Sequence, residues 1–409
     1  MGGAGAASLV LATVFLWGVF SARAQRSDLS APIVFVAAGL LYAEGLDVLE
    51  LSVGQEGVRL LAEVTLVWVL FGDAAGVRPR GLRSDLGTYA RLLGVGLPLT
   101  IGLGLLLAVL LLGMDGWTAL LLGAALAPTD AALGSAVVAD PVVPGRIRRV
   151  LNVESGLNDG IVTPVVLLAI SEVAANEGIS GVEEPGRAAV SLVAGVGVGV
   201  VIGGAGGRLT RFARDRGWLS DDWAGPAVLA LALLAYSGAV LVDANGFVAA
   251  FVGGLAFGAA AGRTEKQEVS FVEQSGRLAS LMSWLVFGAF VVPVLKDHVD
   301  WRVLVYAVLS LTVVRMLPVA LALVGTGMDR ASVAFVGWFG PRGLASVIFA
   351  LLALEGLHGA ASEAVATIAV TVLLSVVAHG ASAAPLAKRY GRSRGAGASG
   401  RAPDFTPHG

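Results

Sequence analysis

An all-α polytopic membrane protein is the fold the sequence predicts, and three observations predict it. Of the residues, 56% are hydrophobic and 14% charged, with a mean hydropathy of +0.81, which lies outside the soluble range. A window of about 19 residues moved along the chain resolves about thirteen apolar runs of a length that suits membrane helices. The 56 glycines suit close approach of helices in lipid. Cysteine is absent, which excludes a disulfide framework, thiol chemistry and cysteine-ligated metal.

The first run, near 8–22, has no basic segment before it and is followed by Arg23 and Arg26. It reads as a retained span rather than a cleaved signal. The spans are expected at 6–23, 30–44, 57–75, 89–113, 117–139, 149–175, 187–209, 223–242, 245–262, 274–295, 301–325, 330–355 and 359–387, with the second and ninth short. Orientation follows from the 28 Lys and Arg. With the N-terminus outside, most of them fall in alternate segments that become cytoplasmic, such as Arg146, Arg148 and Arg149. Arg59, Arg187, Lys296 and Arg302 fall outside, and Arg315 and Arg342 lie within spans. This asymmetry predicts an integral plasma (inner) membrane protein with an outer N-terminus and a cytoplasmic C-terminus. Residues 1–390 form the expected transmembrane domain. Residues 391–409, rich in Gly, Arg, Ser and Pro, are expected to be a disordered cytoplasmic tail.

The sixth span carries Asn152-Val-Glu154-Ser155-Gly-Leu-Asn158-Asp159-Gly160. Ionisable groups at that depth are expensive and point to an ion or proton pathway. Ser155 and Asp159 are four apart and share one helical face, while Glu154 and Asn158 form a second such pair on an adjacent face. One face therefore offers oxygens to a small cation, and the other is available for structural bonds. Further polar interruptions follow the same logic. Ala127-Pro128-Thr129-Asp130 breaks the fifth span, Trp338-Phe-Gly340-Pro341-Arg342-Gly343 breaks the twelfth, Asp73 ends the third and Arg315 lies in the eleventh. Proline frees an upstream carbonyl, and freed backbone at membrane depth is tolerated where it is buried in protein or lines a cavity. Broken spans at these places suggest inverted repeats, with roughly spans 2–6 corresponding to 9–13. In that design Asp130 compensates half-helix N-termini and Arg342 half-helix C-termini.

APTDAALGSAVV followed by LNVESGLNDGIVTPVV resembles the paired signature of NhaP/NHE-type monovalent cation/proton antiporters, and GPRGLASVIFALL resembles their late arginine motif. The resemblance implies a 13-helix protomer with two unwound helices that cross, a core part around 117–175 and 301–355, a dimerisation part from the remaining early and middle spans, and a homodimer in the bilayer. It implies Asp159 as the carboxylate that binds cation and proton, with Ser155 and the backbone carbonyl of Thr129 as further ligands. Asp73 matches the family's acidic residue on the third span. The resemblance also implies that a buried arginine holds Glu154, with Arg315 the first choice and Arg342 the second.

Other roles stay open beside these. Asn158 suits support of neighbouring backbone better than cation binding. Asp73 either joins the site or faces cytoplasmic water, and Asp130 is either part of the ligand shell or a dipole compensator. Glu63 reads as a packing or vestibule charge, Gly195 to Gly207 as helix packing, and the four histidines as lying at span ends or in the tail. The expected function is secondary active, electroneutral Na⁺/H⁺ antiport by alternating access; Asn158 beside Asp159 leaves one titrating carboxylate. K⁺/H⁺ or broader monovalent exchange, Li⁺ included, is the alternative. A passive channel lacks a selectivity-filter repeat, and no mid-span His or Cys supplies parts for an enzyme. No cofactor, nucleotide or nucleic acid is expected.

Overall fold

The computed structural model describes residues 3–26, 30–46, 55–77, 85–130, 133, 142–179, 185–262 and 266–399, and every regular element among them is helical. In chain order these are α1 (Gly3–Arg26), α2 (Ala31–Gly45), α3 (Gln55–Gly76), α4 (Leu86–Leu112), α5 (Gly116–Ala125), α6 (Gly145–Asn176) and α7 (Pro185–Asp215). They continue with α8 (Asp221–Val240), α9 (Gly246–Ala260), α10 (Lys266–Val286, prolonged to His298), α11 (Trp301–Ala322), α12 (Arg330–Trp338), α13 (Leu344–Gly356) and α14 (Ser362–Ser399). Among the described residues eight helices are long and apolar enough to cross a membrane, and α2, α5, α9 and α13 are shorter apolar helices. The protein is an integral membrane protein of helical bundle type. Much of the second half of the expected fifth span, including 134–139, lies outside the described residues, as do Arg78, Arg80, Arg83, Arg263 and Arg401 of the loops and tail used for orientation.

Prolines accompany two of the four widened turns among the described residues. Pro98 in α4 and Pro293 in α10 each follow a widened π turn, Leu92–Gly96 and Phe287–Val291. A proline has no amide to donate and crowds the preceding turn, and a π turn absorbs the mismatch without ending the helix. The last helix continues beyond the expected last span, 359–387. It runs on past 391 to Ser399, through a stretch of Gly, Arg, Ser and Ala whose three glycines do not themselves favour helix. Residues 400–409 lie outside the described residues.

Glycine sets the closest helix contacts. Gly195, Gly199, Gly203 and Gly207 recur every fourth residue on α7 and lie against α9, where an added Cβ would come within 2.6 Å of Asn245 O, 2.6 Å of Ala249 O, 2.1 Å of Gly253 O and 2.9 Å of Phe257 O. Such a stripe lets two backbones touch. At the centre, α6 is flanked by α3, α5, α9 and α13. Its 32 residues span roughly 48 Å at ~1.5 Å per residue, so Glu154 to Asp159 lie well inside either end.

Candidate functional site

Two interruptions meet beside α6. Helix α5 stops at Ala125, and the chain from Leu126 to Asp130 is not helical. Side chains claim the carbonyls freed there. Ser346 Oγ donates to Ala125 O at 2.6 Å, and Arg342 Nη1 donates to Ala127 O at 2.8 Å and Pro128 O at 3.2 Å. Ser155 Oγ donates to Thr129 O at 2.6 Å. An unpaired buried carbonyl would cost about 1–3 kcal/mol, so these bonds make the break tolerable in the bundle.

The second interruption, Phe339 to Gly343, separates α12 from α13 and lies against the first. Asp130 N–H donates to Pro341 O at 2.8 Å, and the Asp130 carboxylate accepts from Leu344 N–H at 3.0 Å, at the first residue of α13. Asp130 thus places negative charge at a positive half-helix end, while the Arg342 guanidinium sits past the negative end of α5; both are favourable arrangements. Two glycines make room for the side chains at this meeting. A Cβ on Gly340 would lie 2.4 Å from Arg315 Nε, and one on Gly343 would lie 2.2 Å from Asp130 Oδ2.

Glu154 and Asp159 of α6 have different surroundings. Glu154 Oε1 accepts from Arg315 Nη1 at 2.6 Å, with both side chains almost fully buried. Arg342, the other basic residue within the expected spans, is also fully buried but is committed to the α5 carbonyls. Asp159 is buried too, and its Oδ1 has no hydrogen-bond partner among the described residues. Asn158 turns its Nδ2 to Thr129 Oγ1 at 2.8 Å, and its buried Oδ1 likewise lacks a partner among the described residues.

Helices α3 and α9 close the surroundings of α6 in different ways. Asp73 of α3 is exposed and lies against Gly156, where a Cβ would be 3.6 Å from Asp73 Cβ and 3.9 Å from its Cγ. Gly156 precedes Asp159 by less than one helical turn, so Asp73 stands beside the same stretch of α6 as the buried carboxylate. The Phe251 ring of α9 covers Gly160, where a Cβ would come within 2.2 Å of it.

Several contributors were not singled out from sequence. Ser346 and Ser375 carry no motif that marks them. Ser375 Oγ accepts from Arg342 N–H at 2.7 Å. His379, expected near a span end, is buried against the second interruption, with Nε2 2.9 Å from Trp338 O. Glu63 accepts from Arg59 Nε at 2.7 Å and from Tyr236 Oη at 3.0 Å, so it bridges α3 and α8 rather than joining this site.

The class so defined is a polytopic helical membrane protein in which two broken helices meet beside a buried carboxylate. The chain belongs to the sodium/hydrogen exchanger family, whose transmembrane profile matches residues 9–389. It is similar to the K(+)/H(+) antiporter NhaP of Alkalimonas amylolytica, at 26% identity over 93% of this chain and 66% of that protein. It is also similar to the Na(+)/H(+) antiporter 2 of Zygosaccharomyces rouxii, at 29% identity over 59% of this chain and 32% of that protein. The chain thus spans between about a third and two thirds of the length of these curated relatives. Its fold matches that of the sodium proton antiporter MjNhaP1 from Methanocaldococcus jannaschii, with a TM-score of 0.80 and 21% identity over 94% of this chain and 98% of that one.

Proposed function

We propose that the protein is a secondary active antiporter that exchanges Na⁺ for H⁺ at Asp159, and that it does no covalent chemistry. The observation that carries this reading is the contrast on α6: each carboxylate has one buried oxygen without a hydrogen-bond partner among the described residues, but Glu154 has Arg315 as its counter-charge, whereas among the described residues no basic group pairs with the buried Asp159. A buried uncompensated charge is costly. Either a proton or a cation removes that cost, and the two compete for the same oxygens. Such competition is sufficient for coupled exchange.

Na⁺ is a hard cation and takes oxygen ligands. Asp159, Ser155 Oγ, the Thr129 carbonyl and Asp73, directly or through water, are the proposed set. Asp130 and Arg342 hold the helix ends in this reading, and the two interrupted spans cross there. The exposure of Asp73 and Asn152 on the side of Arg146, Arg148 and Arg149, with Phe251 over Gly160 on the other, supports a state open to the cytoplasm under the orientation expected from charge. Alternating access then requires the covered side to open in turn. A homodimer in the plasma membrane is the proposed assembly.

K⁺/H⁺ exchange is the second reading. It is favoured by the similarity to antiporters of that printed specificity in Alkalimonas amylolytica and in Shewanella baltica.

Reconstitution into liposomes under an imposed pH gradient, with Li⁺, Na⁺, K⁺ and Rb⁺ in turn, tests both readings. Wild-type protein should take up Na⁺ only against a proton counter-flow. Asp159→Asn should fold and lose exchange, because an amide neither cycles a proton nor neutralises a cation. Normal pH-driven uptake by that variant would sink the assignment.

A further inference from the structure

We propose that His379 is a positioning residue, which holds the interruption between α12 and α13 at both ends and thereby sets the geometry of the cation site. The inference rests on the antiport reading for its transport consequence and on hydrogen bonding for its structural part.

Trp338 ends α12, and a helix end leaves carbonyls without intrahelical donors. The Trp338 carbonyl accepts from Gly340 N–H at 2.8 Å and faces His379 Nε2 at 2.9 Å. A carbonyl only accepts, so Nε2 carries a hydrogen whatever the state of Nδ1. Nδ1 lies 3.1 Å from Ser375 Oγ, from which a neutral ring accepts, and 2.9 Å from Ser375 O, to which only a ring protonated at Nδ1 as well donates. Ser375 Oγ in turn accepts from Arg342 N–H at 2.7 Å. One imidazole is therefore tied to the carbonyl before the interruption and, through Ser375, to an amide near its far end. Trp338 is fastened to the same helix again, by Nε1 to Ser382 Oγ at 3.0 Å. Ser375, His379 and Ser382 are spaced i, i+4, i+7, so they form one polar stripe on α14.

The consequence passes along the chain of contacts. Arg342 is the residue whose guanidinium holds Ala127 O and Pro128 O. The next carbonyl, that of Thr129, receives Ser155 Oγ. If the interruption relaxes, Arg342 shifts, and the Thr129 and Ser155 oxygens lose their relation to Asp159. His379 touches neither cation nor proton site, so its effect is on affinity through geometry.

The test compares His379→Ala with His379→Gln, because a Gln amide can donate where Nε2–H does but does not titrate. Outer supporting groups of metal sites typically change affinity by about 10–100-fold when removed. In proteoliposomes His379→Ala should raise the Na⁺ KM by about tenfold or more on that scale. His379→Gln should stay close to wild type, with its pH profile unmoved. Amide hydrogen exchange read at 339–344 should quicken in the Ala variant and not in the Gln variant, and this arm needs no transport. If His379→Ala is not recovered folded, Ser375→Ala takes its place with the same expected rise in KM. An unchanged KM and unchanged amide exchange in the Ala variants would overturn the proposal. So would a folded His379→Gln as impaired as the alanine variant, or one with a displaced pH profile, since either means that the imidazole acts by titrating. Exchange by the wild type and its loss in Asp159→Asn judge the antiport reading separately.

Discussion

Losing Glu154 and Arg315 together should cost less stability than the two single losses added. At 2.6 Å between Nη1 and Oε1, the attraction is about 6 kcal/mol if the effective dielectric is about 20. Much of that only offsets the desolvation of two buried ions. A single substitution exposes the desolvation by itself: Glu154→Ala leaves a guanidinium buried without its counter-charge, which costs about 3–5 kcal/mol. The Arg315→Ala variant strands the carboxylate in the same way. The double variant Glu154→Ala/Arg315→Ala strands neither charge, so its loss should fall short of the sum of the singles by about 0.5–3 kcal/mol, the coupling usual for directly bonded residues. Equilibrium unfolding of purified protein in detergent micelles measures the cycle. A parallel cycle with Arg342→Ala should show weaker coupling, because Arg342 bonds to the Ala127 and Pro128 carbonyls. Additive losses for Glu154 and Arg315 would refute the pairing as a source of stability.

In the antiport reading proposed above, with Glu154 held by Arg315 and Asn158 unable to titrate, Asp159 is the one group expected to change protonation in the cycle. The zero-flux point of Na⁺/H⁺ exchange in liposomes clamped with K⁺ and valinomycin should therefore not move with voltage, and a shift would mean that a second carboxylate carries a proton. Gly343→Ala should cost about 1–3 kcal/mol through overpacking, since the new methyl meets the Asp130 carboxylate at 2.2 Å. Wild-type thermal stability in that variant would show that the junction yields more easily than its geometry implies.

The helical membrane fold was legible because apolar length alone predicts it, and the α6 motif stood out because charge inside an apolar run is rare. What sequence left open was partnership. Arg315 and Arg342 each lie in an apolar run with a proline near, and nothing local says which one reaches Glu154. The choice is made by packing: Arg315 lies flush on Gly340, while Arg342 turns back to the end of α5. His379 was illegible for a similar reason. Its partners are 41 residues away at Trp338 and four away at Ser375, and the longer link depends on where a broken helix stops.

The distribution of polar bonds also has a mechanical meaning. Ser155, Asn158 and Glu154 on α6 are fastened to the end of α5 and to α11, while Arg342, Ser346, Asp130 and His379 fasten α5, α12, α13 and α14 to one another. Against α3 and α9, by contrast, α6 presents glycines, Gly156 to Asp73 and Gly160 to Phe251. Directional bonds resist shear, whereas a smooth surface of glycine against a side chain offers little to break when one side slides. In the alternating-access reading proposed above, the first group is the part that travels as a block, and the glycine faces are its bearing.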